Sequence, residues 1–163
     1  MPTEMRRLTE SVTFDCSTDR YWDLFWDDDV AKRLFLDGLS FRAFSILQKG
    51  ETDRRLKLQP KMNLPGPVEK LLGASFAYEE VGVLDRVRGE WTWKMKSPLG
   101  DKLRTEGTIR VEALGEGRIK RTDNVLIEAN VFGLGTVIES SAEKELRAAW
   151  PKEFAFWREA IRR

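Results

Sequence analysis

The sequence predicts an α+β fold: a curved antiparallel sheet of about seven strands around a long C-terminal helix, with two short helices after the first strand. Three observations predict it. Apolar and polar side chains alternate with a period of two in three stretches between residues 55 and 113. Two short segments with helix-start chemistry precede them, and after them apolar residues recur every three or four positions as far as residue 161. A sheet that is wet on one face needs a cover for the other, and only the final segment is long enough to supply it.

Residues 4–16 read as the first strand. Ser17 offers an N-cap for a helix over Thr18–Trp26, in which Tyr21, Trp22 and Phe25 bunch on one side. A second short helix is expected over 28–36. Asp27–Asp29 suit the positive end of its dipole, and Gly38 stops it. The strand around Phe41–Gln48 has an ambiguous phase and its register stays open. In 55–62, Arg55, Lys57, Gln59 and Lys61 alternate with Leu56, Leu58, Pro60 and Met62. Arg54 belongs with Arg55, Lys57 and Lys61 to the densest basic stretch, which reads as the solvated face of a strand.

The connection over 63–73 is long for a strand-to-strand loop and holds a helix-like piece with Pro67 near its start. Leu64, Val68, Leu71 and Leu72 would be its apolar contacts, as a lid, as a lip making transient membrane contact, or as a packed surface helix. In 87–96, Val87, Gly89, Trp91, Trp93 and Met95 oppose Arg88, Glu90, Thr92, Lys94 and Lys96. In 103–113, Leu103, Thr105, Gly107, Ile109, Val111 and Ala113 oppose Arg104, Glu106, Thr108, Arg110 and Glu112. Strands of this kind pack on one side only.

Residues opposite each other in an antiparallel pair share a face, so the apolar faces restrict the loop lengths. A loop Gly115-Glu116-Gly117 pairs Ala113 with Ile119, Val111 with Arg121, Ile109 with Asp123 and Gly107 with Val125, with Gly117 in the left-handed position. A loop Pro98-Leu99-Gly100 pairs Met95 with Leu103, Trp93 with Thr105 and Trp91 with Gly107, an indole covering a glycine. A loop Asp85-Arg86 pairs Leu84 with Val87, Glu80 with Trp91, Tyr78 with Trp93 and Phe76 with Met95.

The closing helix runs from about Gly135 to Arg162, roughly 40 Å at 1.5 Å per residue. Its apolar stripe is Leu134, Ile138, Ala142, Leu146, Trp150, Phe154, Trp157 and Ile161, with Glu139, Glu143, Lys144, Arg147, Glu153 and Arg158 largely off it. Pro151 removes one backbone donor and is expected to kink the helix near Arg147.

Composition narrows the function. The 163 residues carry 28 Lys+Arg against 27 Asp+Glu, a balance with no electrostatic footprint for nucleic acid. There is no histidine and one cysteine, Cys16, which removes zinc sites of the usual Cys/His kind and any imidazole base. A lone, buried Cys16 fits a reducing cytoplasm, and no cofactor is expected. No N-terminal apolar leader follows Met1, and no run approaches the length of a membrane span.

The helix pair Ser17–Leu36, the strand run ending at Ala129 and the segment Gly133-Leu134-Gly135-Thr136-Val137-Ile138-Glu139 resemble the START-like (SRPBCC, helix-grip) superfamily along nearly the whole chain. The closing segment is similar to bacterial members of unassigned function. The resemblance implies one START-like domain over residues 1–163 whose sheet and helix enclose a cavity for lipids, polyketides or other apolar molecules. It is architectural rather than a catalytic fingerprint.

With these registers the cavity lining would be Phe76, Tyr78, Glu80, Trp91, Trp93, Met95, Thr105, Ile109, Val111, Arg121, Asp123, Val125 and Ile127, faced by Ile138, Ala142, Leu146 and Trp150 of the helix. The apolar members either hold a ligand by shape or simply fill the core. Glu80, Arg121 and Asp123 either hold a ligand's polar group, or form an ion pair at the strand ends or on a bulge turned to water. Three functions follow: binding or carriage of a small hydrophobic molecule, a cyclase/aromatase- or hydrolase-type enzyme using Tyr78, Glu80, Arg121 or Asp123, and a protein-interaction module.

Overall fold

The computed structural model describes residues 5–163, so the expected start of the first strand at Glu4 lies outside the described residues. Seven strands form one antiparallel sheet. They are β1 (Arg6–Phe14), β2 (Ala43–Lys49), β3 (Asp53–Gln59), β4 (Tyr78–Asp85), β5 (Glu90–Lys96), β6 (Leu103–Gly115) and β7 (Arg118–Ala129), ordered β1-β7-β6-β5-β4-β3-β2. Helices α1 (Thr18–Trp26) and α2 (Asp28–Arg33) follow β1, α3 (Gly66–Leu72) interrupts the strand run, and α4 (Gly135–Arg162) closes the chain. This is the helix-grip arrangement that the periodicities predict.

Local chemistry accounts for the ends. Ser17 Oγ accepts the Arg20 amide at 3.1 Å, and Asp27 Oδ1 accepts the Val30 amide at 2.9 Å, so each short helix has a side-chain cap. Helix α2 is shorter than expected. From Leu34 to Gly38 the chain widens into a π-type turn, with the Leu39 amide donating to the Leu34 carbonyl at 2.9 Å. Helix α4 has the expected bounds and runs on through Pro151. Glu139, read as lying off its apolar stripe, is instead buried and accepts the Ala129 amide at 2.8 Å, tying the helix start to the end of β7.

The β6–β7 register is the expected one, with Gly117 at φ 72°. The other two proposed registers need correction. β5 and β6 pair Trp91 with Ile109 and Trp93 with Gly107, so Trp93 rather than Trp91 is the indole opposite the glycine. The connection is longer than three residues because it contains a short 3₁₀ turn, Gly100–Lys102. The shift is by two positions and keeps every side chain on its face.

β4 and β5 pair Leu84 with Trp91, Gly82 with Trp93 and Glu80 with Met95. The turn spans 86–89, not two residues. Asp85 Oδ1 accepts the Arg88 amide at 3.0 Å and Gly89 takes φ 68°, which leaves Val87 fully exposed at the tip. An aspartate at the first position with a glycine closing the turn was the signal for this longer loop. β2 has a bulge at Leu47, between Ile46 and Gln48, and that bulge is why its phase is ambiguous.

Candidate functional site

The inward faces of β3–β7, the inner sides of α1 and α2, helix α3 and helix α4 surround a cavity of 330 Å³. Its two ends differ in chemistry. At one, Val68, Leu103, Ala129 and Ile138 form a buried apolar cluster joined by Leu64, Leu72, Phe76 and Met95. At the other, charged side chains stand among aromatic rings of the larger core cluster, which includes Tyr21, Phe25, Trp91, Trp150 and Trp157.

The charged end is built from alternation on β7 and helical spacing on α4. Arg121 and Asp123 are two residues apart on one strand face, so the guanidinium lies along the carboxylate. Nε–Oδ1 and Nη2–Oδ2 are both 2.7 Å. Arg121 Nη1 donates to the Tyr21 hydroxyl at 2.9 Å, and Nη2 also donates to Glu153 Oε2. Trp150 Nε1 donates to Asp123 Oδ2 at 3.1 Å. Burial alone would lower the Arg121 pKa, but Asp123 and Glu153 more than offset it and hold the guanidinium charged. The pair is 1 % and 5 % exposed, with β1 and β6 paired on either side. It is therefore neither at a strand end nor turned to water, and Arg121 has little left for a ligand carboxylate.

The second half of this end comes from β3–β5. Arg54 is in phase with Leu56 and Leu58, so it points inward rather than to the solvated face. Its guanidinium carbon lies 5.0 Å from the Phe25 ring centre and 5.1 Å from those of Trp26 and Trp91, and Nη1 donates to the Phe25 carbonyl at 3.0 Å. Burial lowers its pKa, with Glu80 and Asp28 opposing. Glu80 Oε1 accepts the Trp91 indole N–H at 3.3 Å. Burial pushes the Glu80 carboxyl above the ordinary glutamate range, against Arg54, the Trp91 hydrogen bond and Arg121. Glu153 is raised for the same first reason, with Arg121 opposing and Asp123 and Glu80 adding to the rise. Burial and then Glu80 raise Tyr78 as well.

Phe76, Tyr78, Glu80, Trp93, Met95, Thr105, Ile109, Arg121, Asp123, Val125, Ile127, Ile138, Ala142, Leu146 and Trp150 all border the cavity. Trp91 and Val111 do not. Trp91 is fully buried beneath Arg54 and packs over Gly82, where an added Cβ would meet its ring at 2.3 Å. Arg54 and Glu153 were missed as lining residues, although spacing carried the signal for both. Arg54 is two before Leu56, and Glu153 is three after Trp150 and four before Trp157. In the 64–72 segment Val68 is fully buried and Leu64, Val68 and Leu72 face the cavity, while Leu71 points outward. Most of the apolar surface proposed for membrane contact is thus already used in closing the cavity.

Among the described residues no helix is long and apolar enough to cross a membrane, and no group of three acidic or sulfur side chains could hold a metal ion.

A family profile described as "Protein of unknown function (DUF2505)" matches residues 9–161. The chain belongs to this family. Within it, the DUF2505 chain has a START-like fold shared with solved structures of low sequence identity. It is similar to the Zhui aromatase/cyclase from Streptomyces sp. R1128, with 16% identity and a TM-score of 0.68 over 97% of this chain and 92% of that one. Norcoclaurine synthase from Thalictrum flavum matches at 18% identity and TM-score 0.59, over 90% and 84%. A START superfamily protein from Mycobacterium smegmatis matches at 10% identity and TM-score 0.59, over 96% and 97%. No curated protein matches the sequence. At these identities the likeness concerns the fold alone.

Proposed function

We propose that this DUF2505 protein binds or carries a small hydrophobic molecule, such as a lipid or polyketide, in the cavity between sheet and α4. The observation that carries the reading is the 330 Å³ space itself, bordered by Trp93, Met95, Val125, Ile127, Ala142 and Leu146. Protein interiors rarely leave voids much larger than a water molecule, and the volume falls in the range of ligand sites, about 300–1,000 Å³. The fifteen predicted residues that border the cavity are the proposed ligand contacts. The protein is proposed to act in the cytoplasm, consistent with its lone, buried Cys16.

The test is displacement of an environment-sensitive hydrophobic dye, with native mass spectrometry of protein purified from its own cells. Wild type is expected to take up the dye and to carry a co-purified apolar molecule. Ala142→Trp, which fills the middle of the cavity, is expected to lose dye binding while remaining folded. Equal uptake by both proteins, or clean protein in repeated purifications, refutes the reading.

A second reading, an acid–base enzyme of the cyclase/aromatase or hydrolase type, is favoured by one observation. Tyr78 and Glu80 share a strand face inside the cavity, and burial favours the protonated carboxyl. Chemical change of the co-purified molecule on incubation, lost in Glu80→Gln, would select this reading.

A further inference from the structure

The charged end of the cavity is unbalanced. Lys61, Glu145 and Lys152 also border the cavity, the two lysines at exposed positions, but the groups that act electrostatically on one another at this end are two guanidiniums, Arg54 and Arg121, and three carboxyls, Glu80, Asp123 and Glu153. Fully ionised, they leave one negative charge without a counterpart. Hydrogen bonding is unequal in the same sense. Arg121 commits Nε, Nη1 and Nη2 to Asp123, Tyr21 and Glu153. Arg54 is sealed among the rings of Phe25, Trp26 and Trp91, and its Nε is buried without a partner. Arg121 is thus spent, and Arg54, which borders the cavity, is stacked on three rings with Nη1 given to the Phe25 carbonyl.

The acceptors are not spent. Glu80 accepts the Trp91 indole at Oε1, and among the described residues Oε2 accepts nothing. Glu153 accepts from Arg121 at Oε2, which leaves Oε1. Arg54 from β3 and Arg121 from β7 attract Glu80 electrostatically, yet neither forms an ion pair with it.

Resting on the proposed hydrophobic-ligand reading, we infer that the molecule held here is an amine: an apolar body along the Leu103–Ile138 end and a protonated nitrogen donating to Glu80, with Glu153 in the same charged wall. An alkylammonium has only donors and brings the one positive charge this end lacks. A hydrogen bond between ammonium and carboxylate is charge-assisted, and it is stronger where water is excluded. A carboxylate ligand would meet three carboxyls, with Arg121 already committed to Asp123, Tyr21 and Glu153. Without a cation the same need is met by a proton, which agrees with the upward shifts at Glu80 and Glu153.

Calorimetric titration of phenylbutylammonium, phenylbutanol and phenylpentanoate presents one apolar body with three heads. At neutral pH the ammonium is expected to bind wild type roughly tenfold or more tightly than the alcohol, and the carboxylate most weakly. Glu80→Gln, which can still accept from Trp91, is expected to erase the preference for ammonium while keeping the affinity for the alcohol. Glu79→Gln, on the outer face beside Arg55, is expected to behave as wild type. Should Glu80→Gln fail to fold by circular dichroism, Glu153→Gln must show the same loss. Alcohol or carboxylate binding as tightly as ammonium overturns the amine inference and leaves hydrophobic binding standing. No binding of any of the three to wild type overturns the hydrophobic-ligand reading itself.

Discussion

The two ends of the cavity are held together by different physics. The Val68–Leu103–Ala129–Ile138 end is stabilised by burial of side chains that need only shape, so any volume-conserving apolar set would serve. The Arg121–Asp123–Glu153 end is specific. Each charge there is tolerable only because a named partner from another element is in place, with Tyr21 from α1 and Trp150 from α4 completing the set. The difference separates stability from selectivity. On the proposed reading, the apolar end makes room for a ligand and the charged end selects its head group.

The largest effect that would sharpen this contrast is Arg121→Leu. It strands Asp123 and Glu153 without their cation, and it is expected to cost about 3–5 kcal/mol in urea unfolding. Replacing Asp123 and Glu153 by Leu in the same chain is expected to recover most of that loss, because the desolvated charges leave together. If the single and triple variants are equally unstable, the charged end is held by packing and the contrast fails.

At the other end Leu103→Ala is expected to cost about 2–4 kcal/mol, with the spread set by how far the cluster can collapse into the neighbouring space. Dye binding should survive, since the substitution enlarges the cavity rather than closing it. Loss of dye binding in a folded Leu103→Ala protein would show that this end also imposes specific geometry.

The smallest effect is a pH dependence. Burial raises Glu80 and Glu153 above their unfolded values, so the folded state binds these protons more tightly than the unfolded chain does. Their contribution to stability is present at low pH and is lost as pH rises from the free glutamate range through the raised folded values. Glu80→Gln removes one such group. Its stability relative to wild type should therefore rise with pH across that window and level off above it. A difference that is flat, or that falls with pH, would mean Glu80 is ionised and satisfied by Arg54, and the charged end would then lack its unmatched acceptor.

Much of the architecture was legible in the residues. A period of two sets a strand and its faces, and Gly115-Glu116-Gly117 with apolar partners on both sides was enough for the β6–β7 register. Three- and four-residue spacing placed α4 to its bounds. The β4–β5 register was misread because a short loop and the longer Asp85–Gly89 turn both keep Trp91 and Trp93 facing inward. Alternation sees faces, not displacement along a strand.

The sequence by itself determined most of the elements and their buried faces, because these follow from local periodicity and the area each face must hide, whereas the enclosed cavity was only what the family resemblance implied. Only the tertiary structure decided that Glu139 turns inward, which partners receive Arg54 and Glu153, and that Trp91 lies beneath the cavity rather than on it. The physical reason is desolvation: a charged side chain enters an interior only where partners from distant parts of the chain receive it. Glu153 reaches Arg121 across 32 positions and Arg121 reaches Tyr21 across 100, pairings that no local spacing records.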